Sequence, residues 1–326
     1  MLAQVPAPEH GEGRIKLDVV VTDKAGKPVS GLDAKDFTLL DNNQPGKILS
    51  FQAIDGIVQK AHPPVEVILV IDTINFPMQS VAFTRQQIEK FLRQNGGHLA
   101  QPVSLFVLTN KGLNAQQPTS TDGNALAADL DHVSIPLRTI GGSAGDNGAG
   151  ELFKLSIDSL NFIVRNEMTK PGRKLLIWSN SGWPLLNNQR NMSSPEARQQ
   201  YFKLIVQLSN RLREARISVY SISSGETYSD AREYEGFLKG VKSPDKAGIP
   251  NLALRVLAIQ SGGRILGPSN DMAGQMNSCI EDAGAFYSLS FDPPPAAQQN
   301  EYHDLKVQIG KPGLTARTSS GYYNQP

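Results

Sequence analysis

The chain has 326 residues, enough for a full hydrophobic core and, at the usual domain size, for two domains. Its 32 Lys and Arg against 31 Asp and Glu leave a net charge of +1, so no global field draws it to nucleic acid or an acidic membrane, and any partner must be recognised locally. No apolar run approaches the roughly 20 residues that span a bilayer, so membrane insertion is not expected, and the lone Cys279 excludes an intramolecular disulfide or a cysteine zinc cluster.

The N-terminal stretch MLAQVPAPEHGEG is polar and proline-containing, like the segment that follows a signal-peptide cleavage site. The protein is therefore expected to be exported (periplasmic, cell-surface or secreted), with the signal peptide absent from this sequence. From Ile15 to Ile54 the pattern is strand and turn: Leu17, Val19 and Val21 alternate along one strand, Asp23 to Gly26 supplies a turn, and Phe37 to Leu40 and Ile48 to Phe51 flank a second turn at Asp41 to Gly46. Three short strands cannot hide their own apolar face, so partner strands are expected elsewhere in the chain.

After Pro63-Pro64 the texture changes. Glu66 to Ile71 is a β-branched-rich apolar run ending at Asp72, the mark of a strand buried on both faces, and Met78 to Gln94 carries Val81, Ile88, Phe91 and Leu92 at helical spacing before Asn95-Gly96-Gly97 stops it. Val103 to Leu108 is a second apolar strand. Asp122 can cap a helix bearing Leu126 and Leu130, and Gly150 to Glu167 sets Leu152, Leu155, Leu160, Ile163 and Val164 on one helical face. Lys174 to Ser179 is a third strand, Ser194-Pro195-Glu196 opens a helix with Pro at its first position, and Ile217 to Ser221 is a fourth strand. Pro250 opens a helix through Leu257, Arg264 to Leu266 makes a short fifth strand, and Asp271 to Ala283 a last helix, in which Cys279 reads as a buried, inert thiol. Strands return at Phe286 to Phe291, Leu305 to Ile309 and Leu314 to Thr318.

Strand and helix thus alternate at crossover lengths between two all-β ends. The predicted fold is α/β: a doubly wound, mostly parallel, Rossmann-like sheet over residues 64–284, inserted in a small β-sandwich that residues 15–58 and 285–323 build together. In such sheets ligands bind beyond the carboxyl ends of the strands, which places Asp72, Thr73 and Asn75 at the candidate site.

The strand ending in Asp72, Lys174 to Ser179 followed by Ser181-Gly182, ALRVLAIQSGGRIL at Ala253 to Leu266, and the flanking VVVTDKAGKPVSGLDAKDFTLLDN and TARTSSGYY resemble the bacterial VWFA-related domain family over nearly the whole chain. The resemblance implies a von Willebrand factor A domain, a noncatalytic protein-interaction or adhesion module. It also implies a metal-ion-dependent adhesion site in which an Asp-x-Ser-x-Ser stretch, a loop Thr and a further Asp hold Mg²⁺. Here Asp72 matches the first position, but Ile74 and Phe76 stand where the two Ser belong, Ser143 replaces the Thr, and Ser181 stands where the Asp is expected. Mg²⁺ needs several well-placed oxygens, so Asp72, Ser143 and Ser181 make a degenerate metal site, with no cofactor expected and any Mg²⁺ held weakly. The bland reading of Asp72, a carboxylate that ties down the following loop through backbone N–H groups, predicts the same.

Trp183-Pro184-Leu185-Leu186 is apolar on the predicted ligand face. Trp178 and Trp183 read first as packing residues, but an exposed patch there would suit a protein partner, with Thr73, Asn75, Trp183 and Leu185 as the contact residues. An alternative from a different class is a serine hydrolase, because Gly141-Gly142-Ser143-Ala144-Gly145 fits a G-x-S-x-G elbow with His303 downstream. Its context argues against it: the motif asks for a buried strand before it and a helix directly after, whereas Ser134 to Arg138 does not read as such a strand and more Gly follows.

Overall fold

A computed structural model describes residues 13–56, 61, 63–75, 78–115, 118–132, 145–179, 183, 194–223 and 232–326. In the N-terminal segment β1 (Ile15–Thr22) turns Ile15, Leu17, Val19 and Val21 inward. β2 (Phe37–Asp41) and β3 (Gln44–Gly46) form a hairpin whose loop residues Asn42 and Asn43 both have positive φ, 48° and 64°, the two-residue turn whose twist matches that of paired strands. β4 (Ser50–Ile54) ends the segment.

The middle of the chain runs β5 (Glu66–Asp72), α1 (Met78–Leu92), β6 (His98–Thr109), β7 (Gly112–Ala115), β8 (Ser120–Asp122), α2 (Gly123–Asp131), α3 (Gly145–Met168), β9 (Lys174–Ser179), α4 (Pro195–Glu214), β10 (Ile217–Ile222), a single turn α5 (Arg232–Glu235), α6 (Leu254–Gln260) and α7 (Met272–Gly284). The helix starts read at Asp122 and Ser194 are capped as expected, Asp122 accepting from the Ala125 N–H and Ser194 from Ala197, and Asp271, read as the first residue of the last helix, caps it instead by accepting from Gly274. Three expectations change. The helix expected from Gly150 begins at Gly145, so a helix does follow the G-x-S-x-G stretch and that part of the case against a nucleophile elbow does not hold. The helix from Pro250 is a 3₁₀ turn over Ile249–Leu252 followed by α6, because Ala253 between them is extended (φ −61°, ψ 141°). The fifth strand shrinks to one parallel bridge, Ser221 to Ile265, held by Ser221 N–H to the Arg264 carbonyl at 3.0 Å and Leu266 N–H to the Ser221 carbonyl at 2.9 Å. The chain closes with β11 (Phe286–Phe291), β12 (Glu301–Ile309), β13 (Thr315–Arg317) and β14 (Gly321–Asn324).

The central sheet has the order β10-β9-β5-β6-β7, parallel except for β7, with β8 also pairing antiparallel to β6. Leaving β8 aside and adding the Ile265 bridge outside β10, the order counted in sequence from β5 is 3-2-1-4-5-6. It reverses between β5 and β9, the topological switch point where open α/β sheets take their ligands. Period-two alternation splits the central strands between two cores. Ile68, Val70, Leu176 and Trp178 face a cluster built with α3 and α4, while Val67, Leu69, Ile71, Leu175 and Ile177 face one built with α1, α2 and α7. Cys279 lies wholly inside the second, and burial pushes its thiol up to about 12.

Two four-stranded antiparallel sheets, β13-β1-β11-β4 and β14-β12-β2-β3, draw strands from both chain ends. Leu17 and Val19 of β1, Phe37 and Leu39 of β2, Leu289 of β11 and Val307 of β12 meet in one apolar cluster. Polar contacts fasten these strands to the α/β part: Arg216 donates to both Asp18 oxygens at 2.6 and 2.9 Å, Arg317 donates to Asp282 at 2.7 Å, and Asn210 exchanges two hydrogen bonds with the Tyr323 backbone. No helix among the described residues is long and apolar enough to cross a membrane.

Candidate functional site

At the switch point β5 ends in Asp72 and β9 in Trp178-Ser179, with Val70 beside Trp178 and Ile71 beside Ser179 in register. Because residues two apart share a face, Asp72 and Trp178 project to the same side of adjacent parallel strands. The Asp72 side chain is wholly buried (0% exposed). Its Oδ1 accepts from the backbone N–H groups of Ile74 at 3.2 Å and Asn75 at 3.1 Å, an Asx-type turn that starts the loop. Its Oδ2 accepts from Asn75 Nδ2 at 2.7 Å and from the Trp178 indole Nε1 at 2.9 Å.

The loop is tied down on two more sides. Thr73 donates its backbone N–H (3.0 Å) and its hydroxyl (2.7 Å) to the Leu108 carbonyl at the end of β6. Asn75 Nδ2 also donates to Ser156 Oγ of α3 at 2.9 Å, and Ser156 in turn donates to the Leu152 carbonyl at 2.8 Å. Ser179 Oγ donates to the Val70 carbonyl at 2.8 Å, pinning the end of β9 to β5. Ile74 is buried with its side chain in the α3/α4 core.

Both Asp72 oxygens thus face N–H donors, whose partial positive charge repels a cation, and Ile74 brings hydrocarbon where the adhesion-site pattern brings a hydroxyl. What is described of this donor set does not fit Mg²⁺, which asks for near-octahedral oxygen ligation. Among the described residues no three of His, Cys, Asp or Glu gather in a metal-binding arrangement. Ser143 and Ser181 lie outside the described residues, as does Leu185.

Thr73 and Asn75 are half-buried, and the polar contacts described above point them into the protein. Trp183, read first as a packing residue and second as part of an exposed contact patch, packs: it is 2% exposed, its ring set edge-on to Trp178 with centroids 5.2 Å apart and an interplanar angle of 76°. The reason is local: a large ring beside another buried indole removes more apolar surface from water by turning inward than a loop position would suggest. The site residues that sequence reasoning passed over are Trp178 as a partner of Asp72 and Ser156 as a partner of Asn75. The alternation of the two strands carried the signal for Trp178, but it becomes readable only once β9 is known to lie beside β5.

His303, the base that a hydrolase would need, sits on β12, 4% exposed. Its Nδ1 is 2.8 Å from Asp41 Oδ1, its ring stacks on Tyr322 at 4.8 Å, and Tyr322 donates its hydroxyl to Asp41 Oδ2 at 2.5 Å. Burial and the neighbouring Asp41 carboxylate raise the Tyr322 phenol above its ordinary value, so it stays protonated as a donor. These contacts fasten β2, β12 and β14 together.

No family model and no curated protein matches the chain. Among solved structures it is similar to the conserved hypothetical protein BatB from Bacteroides thetaiotaomicron, with 14% identity over 67% of this chain and 98% of that one and a TM-score of 0.36. With TM-scores below 0.5 such likenesses carry no weight for the fold, which rests on the strand order and the two-faced core. A second similar structure, with 10% identity over 51% of this chain and 77% of that one and a TM-score of 0.30, is the SpRpn10 VWA domain.

Proposed function

We propose that the chain is a noncatalytic protein-interaction module of the von Willebrand factor A type that works without the metal of the adhesion site. The observation that carries the reading is the Asp72 carboxylate, buried and already accepting from Ile74, Asn75 and Trp178 at the position where a ligand-binding sheet would present an open charge. In this reading residues 64–284 form the A-type body, inserted in a β-sandwich of residues 15–58 and 285–323. The apolar cluster to which both four-stranded sheets contribute supports that division.

A ligand that binds only the folded state raises the unfolding midpoint according to its concentration over its dissociation constant. The expected melting temperature is the same in about 10 mM MgCl₂ as in EDTA, and a clear Mg²⁺-dependent rise overturns the metal-free reading. The hydrolase alternative is met by a serine-reactive phosphonate. No labelling of Ser143 is expected, and stoichiometric labelling there overturns the noncatalytic reading.

A further inference from the structure

The four outer strands of the two terminal sheets are finished differently. β3 carries Pro45, which has no N–H to offer a neighbour. β14 has its outward Tyr323 N–H and carbonyl taken by the Asn210 side chain, and β13 is anchored by Arg317, which donates to Gly262 O and Asp282. β4 has none of these devices. It pairs with β11 in unbroken register from Ser50–Ser290 to Ile54–Phe286, and on its other side no described backbone group pairs with it. Unprotected edges invite another strand, and proteins usually blunt them.

The sequence around β4 says what strand would fit. Reading Lys47-Ile48-Leu49-Ser50-Phe51-Gln52-Ala53-Ile54-Asp55 against itself antiparallel about Phe51 sets Lys47 opposite Asp55, Ile48 opposite Ile54, Leu49 opposite Ala53, Ser50 opposite Gln52 and Phe51 opposite itself. Apolar meets apolar, polar meets polar, and each end of the stretch meets the opposite charge, the combination that favours cross-strand pairs. Among the described residues Leu49, 38% exposed, is one of four large apolar side chains left in water, and it borders a groove of about 500 Å³ lined also by Phe37, Leu39, Pro45, Ile48 and Phe51. Leu49 lies just before β4, where its N–H still bonds the Ser290 carbonyl of β11, so a second strand continued past Ser50 would cover it.

We propose that β4 is a homodimerisation edge: two copies of this chain pair antiparallel along β4, joining their β13-β1-β11-β4 sheets into one continuous sheet. The inference does not depend on how the switch-point site is used. Pairing a five-residue strand buries less than the roughly 1,200 Å² of a standard interface, so the dimer is expected to be reversible.

The test is sedimentation of the full chain over a range of concentrations. The wild type is expected to show a concentration-dependent dimer. Lys47→Asp alone and Asp55→Lys alone should each weaken it about fivefold or more, since symmetry places the altered charge in the interface twice. An equimolar mixture of the two variants should dimerise like the wild type, because in the mixed pair each reversed charge meets its opposite. Mere damage to the fold would not produce that recovery. Leu49→Lys, at an exposed position, should also weaken the dimer while melting like the wild type; together with Lys47→Asp it decides the matter even where Asp55→Lys fails to fold. A wild type that remains monomeric at its highest soluble concentration, or a dimer indifferent to both Lys47→Asp and Leu49→Lys, overturns the proposal.

Discussion

Removing the Asp72 carboxylate separates a structural knot from a metal ligand, because the two roles predict opposite effects on the metal-free protein. A ligand carboxylate held ready for a cation is a buried charge without compensation, so its loss in EDTA should leave stability unchanged or raise it. Here the same carboxylate accepts from two backbone N–H groups, one amide and one indole, all within 3.2 Å. Hydrogen bonds to an ionised acceptor contribute about 1.5–3 kcal/mol each, and a buried donor left without an acceptor costs about 1–3 kcal/mol. Asn75 Nδ2 keeps Ser156 as a second acceptor, so the Trp178 indole and the backbone N–H groups of Ile74 and Asn75 bear most of the loss. Set against the relief of desolvating one charge, Asp72→Ala should destabilise the fold by about 3–5 kcal/mol. Asp72→Asn keeps the shape but turns one acceptor into a donor facing a donor pair, for about 2–4 kcal/mol. Urea unfolding followed by tryptophan fluorescence is the assay, since both tryptophans, Trp178 and Trp183, pack at the site. A loss under about 1 kcal/mol for Asp72→Ala in EDTA, or a Mg²⁺-dependent stabilisation that the substitution abolishes, would refute the reasoning.

Two further outcomes test other parts of the framework. Lys174 is 1% exposed and its ammonium donates to the carbonyls of Glu167 (3.0 Å), Lys170 (2.5 Å) and Ala215 (3.2 Å), closing the C-terminal ends of α3 and α4 together; Lys174→Met should cost about 2–4 kcal/mol in denaturant unfolding, and a neutral result would show that those carbonyls find other donors. For Asp18, burial alone would raise the carboxyl pKa, but the paired Arg216 guanidinium outweighs it and holds the group below its ordinary value. The stability from this pair is therefore complete above the ordinary carboxylate range and lost as pH falls through the lowered value. Asp18→Asn should cost about 3 kcal/mol at neutral pH and flatten the acid limb of the stability curve, and an unchanged acid limb would count against the pair.

The elements legible in the sequence are those whose signal is local. Glu66–Asp72 and Lys174–Ser179 announce themselves as apolar runs because both faces are buried, and α4 is framed by the Ser194 cap with Pro195. What escaped depends on partners. β7 and β8 are short and polar, and they are strands because the edge of β6 offers them hydrogen bonds. β14 opens on Gly321 right after Ser319-Ser320 and is a strand because β12 lies beside it. At the site, the chemistry of Asp72 was legible only as the bland alternative of a loop-tying carboxylate, since its backbone partners are its own neighbours, whereas Trp178, 106 positions away, belongs to it through strand register. Loops lie mostly on the surface, which favoured the exposed-patch reading of Trp183, whereas its first reading as a packing residue is the one its place against Trp178 bears out.

The same contacts bear on how such a module could be regulated. A site that switches on ligand binding needs an element with two arrangements that the ligand distinguishes by its differential contacts. Among the described residues, the loop after β5 has little room for a second arrangement: Thr73 is committed to β6, Asn75 to α3 and Asp72 to β9, and shifting any of them strands a buried donor or acceptor. The seam to the terminal strands, through Asp18–Arg216, Arg317–Asp282 and Asn210–Tyr323, adds further polar pairs that motion would have to break. On the proposed reading, therefore, occupancy of this module follows from the concentration of its partner and from pairing of copies along β4. Both are mass-action controls that ask for no rearrangement at the switch point.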